Sequence, residues 1–293
     1  MTTELLSPLD ARRTWRSFEA VHGMIYFTSI AAEEYAAAGV TKNRTGYFAS
    51  RVAAMGPVGA DVVIATFYNF HPGLVRHAMK DAWQITTPAT LLDARFRAAK
   101  RALQTAFDTH VVGSTDFATA VDALRRAAMI ACERPEGRPL FAGHASLAWP
   151  DDPVLVLWHA QTLLREYRGD GHIAALTVEG LSGLDALISH AASGDVPAEA
   201  LRLSRSYSEV EWAAGITSMA QRGLVDASGA FTDAGRAQRT RIEDTTDRLA
   251  HAPFAALGAD LCSQLRSIGA RLTELVVAAG LMTVDMNRLT DKS

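Results

Sequence analysis

Helix start and stop signals constrain this chain more than any single motif does. The spacing predicts a long helix over residues 11–38, closed by Gly39 as a C-cap. A second helix, 43–54, is stopped by Met55-Gly56-Pro57, and a third, 59–70, ends at His71-Pro72. Thr87 followed by Pro88 opens another, because proline suits the first helical turn; it extends to about Thr109. Asp116 is placed as the N-cap of a helix to Cys132. The expected fold is therefore mainly α. Hydrophobic residues make up 48% of the 293, enough to bury a core and to exclude disorder as the main state. Two cysteines in so long a chain exclude a disulfide scaffold. No apolar run reaches the length of a membrane span, and the first residues lack the features of a signal peptide, so a cytoplasmic protein is expected.

The length suggests about two domains. Glu133 to Pro153 is dense in Arg-Pro, Glu-Gly and Trp-Pro-Asp-Asp-Pro turns. The expected division is an N-terminal helical domain over 1–136, a linker over 137–153 and a second helix-rich domain over 154–293. The halves invite comparison. Residues 46–50 align with 171–175 and 59–64 with 183–188, at offsets of 125 and 124, and His22 and His159 each lie near the start of a long helix. An internal duplication, with a degenerate winged helix in the first half, is one reading; chance alignment of alanine-rich helices is the other.

The most specific local pattern lies at 196–241. A short helix from Pro197 to Ser206 is followed by Ser208-Glu-Val-Glu211, which has the form of a capping box. The helix it opens stops at Gly223. Ser228-Gly229 then sits between two short apolar pieces, which predicts a β-hairpin, and Thr232 caps a further helix. Helix, helix, hairpin, helix is the order of a winged helix. The stretch "RGLVDASGAFTDAGRA" resembles the wing of the MarR family of regulators. In that family the helix before the wing enters the major groove and basic residues at the wing tip reach the backbone. Here the helix opens with Glu209 and Glu211, and the tip carries Asp226 and no base. Phosphate neutralisation supplies most nonspecific DNA affinity, so ordinary DNA binding is not expected. Arg202, Arg205, Arg236, Arg239 and Arg241 are the cations that could rescue it.

Over nearly its full length the chain is similar to a group of actinobacterial SalK-like proteins, relatives of the MarR winged-helix family. The segments that carry this are "TGYFASRVAAMGPVGADVVIATFYNFHPGLV" at 45–75, "GRPLFAGHASLAWPDDP" at 137–153 and "WHAQTLLREYRGDGHIAAL" at 158–176. Members favour histidine where this chain has Tyr167. The resemblance implies fold and lineage more than chemistry.

Two polar clusters stand out as candidate sites. Arg165-Glu-Tyr-Arg-Gly-Asp-Gly-His172 follows Trp158 and His159, and its two glycines permit an unusual turn around Asp170. Arg51 or Arg168 could hold an anionic group, with His172 or Asp170 as the acid/base partner and His159 among the binding residues; a helix C-terminus with caps and salt bridges is the competing reading. In the first half, Tyr47, Arg51, Tyr68, Asn69 and His71 form a similar set; Tyr47 and Arg51 share a helix face and with Tyr26 and Met55 could line an aromatic cleft, a core with satisfied hydroxyls being the competing reading. There is no His-x-x-x-His, Cys-x-x-Cys, Walker or dinucleotide spacing, so no metal and no cofactor are expected. The reading preferred from sequence is a small-molecule-binding protein or non-redox enzyme with its ligand between the halves. The alternatives are a ligand-responsive regulator and an interaction module using an apolar helix around Leu261–Leu281; a homodimer stays open.

Overall fold

A computed structural model describes residues 5–282. In chain order the helices are α1 Pro8–Arg16, α2 Glu19–Gly23, α3 Ser29–Ala37, α4 Asn43–Val52, α5 Ala60–Phe67, α6 Pro72–Met79, α7 Ala82–Ile85, α8 Pro88–Ala106, α9 Thr109–Val112 and α10 Thr115–Cys132. They continue with α11 Pro139–Ala145, α12 Pro153–Val178, α13 Gly183–Ala192, α14 Ala198–Arg205, α15 Glu209–Gln221, α16 Asp233–Ala255 and α17 Ala259–Ala278.

Several start signals act as expected. The Thr87 hydroxyl accepts from the Thr90 N–H to open α8, and Ser208 and Glu211 close a reciprocal capping box on α15. α10 is capped by Ser114, with Asp116 inside its first turn. The expected helix over 11–38 is broken twice. Ser17 and Phe18 separate α1 from α2, and Phe18 is fully buried, with α17 lying so close that a Cβ at Gly269 would collide with both residues. Thr28 then caps a new helix through the Ile30 N–H. Local spacing could not reveal that a long-range contact bends the chain at Phe18.

The contacts divide the described chain into two compact units. Unit 1 comprises 5–58, 81–170 and 247–282; unit 2 comprises 59–80 and 171–246. The chain passes from one to the other inside α12, after Asp170, and inside α16, after Thr246. This partition differs from a split at 137–153, a segment that itself holds α11.

In unit 1, α3 and α4 pack on α8, and α17 packs on α1, α2 and α10. The core includes Phe48, Leu91, Leu103, Phe117, Leu124, Phe141, Leu157 and Trp158. The apolar face of α17 (Cys262, Leu265, Ile268, Leu272 and Val276) is buried in this core, so it is occupied within its own unit.

Unit 2 has a core of Leu176, Leu181, Leu187, Ile188, Leu201, Trp212, Met219, Val225 and Ile242. Its α14 and α15 are joined by Ser206, Tyr207 and Ser208, with Ser206 in the left-handed region at φ 64°. Two helices and a three-residue turn form a helix-turn-helix arrangement. The expected β-hairpin wing is absent: among the described residues there is no strand. Segment 224–232 makes one isolated antiparallel bridge, Val225 with Phe231. The Asp226 carboxylate accepts from the N–H groups of Ser228 and Ala230 and from the Ser228 hydroxyl, which folds the tip into a tight turn. With arms this short, no ladder extends beyond that bridge.

Candidate functional site

Unit 1 encloses a cluster of charged and aromatic side chains contributed by α2, the 3-10 turn Met24–Tyr26 that follows it, α4, α8, α11 and α12. Arg51 donates from one nitrogen to both carboxylate oxygens of Glu166 at 2.8 and 2.9 Å, in a pair whose side chains are almost wholly buried. Arg165 donates to Glu19 at 2.8 Å and approaches Glu166 at 3.4 Å. The guanidiniums of Arg51, Arg95 and Arg165 all lie over the ring of Tyr26, 5.3–5.7 Å from its centroid. Tyr47 packs its ring on Tyr26 at 5.4 Å and accepts from Arg51 at 3.1 Å.

Hydrogen-bond geometry assigns the protons. The Thr162 hydroxyl donates to the Trp158 carbonyl at 3.0 Å, so His22 Nδ1–H donates to Thr162 at 3.0 Å and His22 Nε2 accepts from the Tyr26 hydroxyl at 2.9 Å. Burial, then the charges of Arg165, Arg95 and Arg51, hold His22 well below the usual imidazole range, which agrees with a neutral ring. His144 donates through Nε2 to the Arg51 carbonyl, and burial lowers it to about 3. For Glu166, burial alone would raise the carboxyl; Arg51 and Arg165 outweigh it and bring it to about 2. His22 thus stays neutral and fixes the Tyr26 hydroxyl beside three guanidiniums.

Of the residues singled out from sequence, Tyr26, Tyr47 and Arg51 meet in this cluster. His159 lies along α12 from it, buried against Phe96 and Trp149; burial lowers its imidazole to about 4. The others go elsewhere. Arg168 pairs with Asp247 at 2.7 Å, lies over Trp15 and lines a recess with room for about one water. Asp170 accepts from the Phe141 N–H at 2.9 Å, tying α12 to the start of α11, and burial raises it to about 6. The turn expected around Asp170 does not form: Gly169 and Gly171 lie inside the continuous helix α12. Asp170 and His172 therefore project from opposite sides of one helix. His172 bonds the Thr246 hydroxyl through Nδ1 at 2.9 Å. Tyr68 and Asn69 belong to unit 2, where Tyr68, at φ 53°, donates its hydroxyl to the Leu181 carbonyl. Tyr167 is buried beneath Arg138, whose guanidinium carbon lies 3.8 Å from the ring centroid.

Sequence reasoning missed Glu19, Arg95, His144 and Glu166 as members of the cluster. Glu19, His22 and Tyr26 recur at the helical interval, a signal that could have joined them. Arg95, in "DARFRAAK", carries none, because an arginine on a helix reads the same whether solvated or buried.

In unit 2 the side chains of Glu209 and Val210 at the start of α15 are open to solvent. Arg202 pairs with Glu209, Arg236 with Asp233, Arg239 with Glu243 and Arg241 with Glu179, while Arg205 lies over Phe70. The unit carries eight Lys and Arg against eleven Asp and Glu, an excess equal to the chain's whole net charge of −3. Among the described residues no cluster of His, Cys, Asp and Glu is arranged to hold a metal, and no single helix is long and apolar enough to cross a membrane.

No curated protein and no solved structure matches the sequence. A family model described as a helix-turn-helix family matches residues 11–283, almost the whole chain. That agrees with the α14–turn–α15 arrangement, and this chain belongs to the helix-turn-helix family, a scaffold of the DNA-binding regulator type.

Proposed function

We propose that this protein is a small-molecule binder built on a helix-turn-helix scaffold, that its ligand is taken in the Tyr26–Arg51–Arg95 cluster of unit 1, and that its α15 no longer grips DNA in the ordinary way. The observation that carries the reading is the charged cluster itself. Buried ion pairs cost desolvation that their mutual attraction seldom exceeds, so well-packed apolar residues would hold a core at least as well. A perturbed set of titratable groups around a half-buried tyrosine is the pattern of a functional site.

The second part rests on charge. A groove-reading helix needs cations for phosphates and donors for bases. α15 instead opens with two glutamates, and four arginines that could help already face carboxylates within the unit. The family match favours a second reading, a ligand-responsive regulator.

Two measurements separate them. Native mass spectrometry of the protein purified from its own host is expected to find a retained small molecule. A gel shift against its own upstream DNA at low salt is expected to show weak binding at most. Tight, strongly salt-dependent binding would reject the loss of DNA affinity and favour the regulator.

A further inference from the structure

The charges inside the unit 1 cluster do not balance. Arg51, Arg95 and Arg165 bring three positive charges; Glu166 and Glu19 bring two negative ones. His22 and His144 are held neutral by burial and by the arginines themselves. Arg51 and Arg165 each have a carboxylate partner, and Arg95 is the guanidinium of the cluster left without one among the described residues. Its side chain is 1% exposed, and no carboxylate pairs with it among the described residues. Its one hydrogen bond there, to the Tyr26 hydroxyl, is long at 3.4 Å, and Nε and Nη1 have no partner.

A bare guanidinium in an apolar interior is among the most costly groups to bury. The rings of Tyr26 and Trp158, 5.7 and 5.1 Å from its central carbon, offset only part of that cost. Around Arg95 itself the unmet capacity is on the donor side, while Glu19 Oε2 and the Gln161 amide are buried without partners elsewhere in the unit. Besides the two Arg95 nitrogens, the indole N–H of Trp158, on the ring over which Arg95 lies, has no acceptor. Next along α12, the buried imidazole of His159 has both nitrogens unpaired. The walls are aromatic: Trp158 stacks on His22 and meets Phe96 edge-on.

We infer that Arg95 is the binding group for a small organic monoanion, a carboxylate whose oxygens take the free donors of Arg95 and Trp158. One negative charge matches the single guanidinium that lacks a carboxylate, whereas a dianion would bring a second charge with no cation left to meet it. The aromatic walls suit a hydrocarbon body better than an inorganic ion. This inference rests on the small-molecule reading above and adds the ligand's charge and class.

The test is thermal unfolding with three probes at equal concentration: sodium benzoate, its neutral counterpart benzamide, and sodium chloride. Benzoate is expected to raise Tm by about 3 °C or more near saturation, with benzamide and chloride giving much less. Arg95→Met is expected to fold and to lose the benzoate response. Equal shifts with benzamide, an undiminished response in Arg95→Met, or no shift with benzoate would overturn the inference. Chloride matching benzoate would overturn the organic carboxylate in favour of a simple ion. Should Arg95→Met fail to fold, Arg95→Lys, which keeps the charge and loses the planar donors, is expected to weaken the response. A retained neutral molecule in the host-purified protein would sink this inference and leave the small-molecule reading standing.

Discussion

In unit 1 the guanidiniums of Arg51 and Arg95 lie inside the protein, stacked on aromatic rings; in unit 2 those of Arg236 and Arg241 lie on the surface, each against a carboxylate. The same residue type does different physical work in the two places. Exposed pairs exchange one set of water contacts for another and contribute little. Inside unit 1, each charge depends on its neighbours, because no water replaces a lost partner. Function is therefore to be sought in the interior of unit 1. The interior network is a costly arrangement that stability alone does not require, whereas the surface pairs lower the free positive charge of the helix-turn-helix unit.

The largest expected effect tests this contrast directly. Glu166→Gln leaves Arg51 buried without its carboxylate and is expected to cost about 3–5 kcal/mol. Arg241→Ala, which removes an exposed pair of comparable hydrogen-bond geometry, is expected to leave the urea midpoint unchanged. Similar losses for the two would break the comparison.

Acid should find unit 1 next. His144 and His159, lowered to about 3 and about 4 by burial, bind protons less readily folded than unfolded. Their contribution is complete above the unfolded value of 6.5 and is lost as pH falls, on the order of 2 kcal/mol each by pH 5. His159→Phe is therefore expected to flatten the fall in stability between pH 7 and pH 5, measured by denaturant unfolding. An unchanged slope would show that the imidazole is already charged.

The smallest effect has the opposite sign. Asp170, raised to about 6 by burial, stabilises the folded state at low pH, and that stability is lost as pH rises through 6. Asp170→Asn keeps an acceptor for the Phe141 N–H and removes the buried charge. It is expected to stabilise the protein by on the order of 1–2 kcal/mol at pH 8 and to change little at pH 3, below the unfolded carboxyl's own range. Equal effects at both pH values would place the gain outside the carboxyl's titration.

Legibility in the sequence followed the range of the forces involved. Helix starts at Thr87 and Ser208 were readable because a cap is made by residues three apart. The meeting of Tyr47 and Arg51 was readable for the same reason, since four residues make one helical turn. The strand pair at 224–232 was misjudged. Its turn signal was sound, yet a ladder needs longer arms than those flanking Asp226. The turn expected around Asp170 was misjudged in another way: two glycines permit a break, but α12 continues through them with Asp170 tied to α11.

Local spacing alone dictates the helical class, the punctuation of most elements and the acidic start of α15, all of which depend on neighbours within a turn or two. Only the tertiary structure decided that Arg95 is buried, that Glu166 sits between two arginines, and that Arg168 is spent on Asp247. Burial and ion pairing are set by residues tens to hundreds of positions apart, and a guanidinium carries no local mark of whether water or an aromatic ring will surround it.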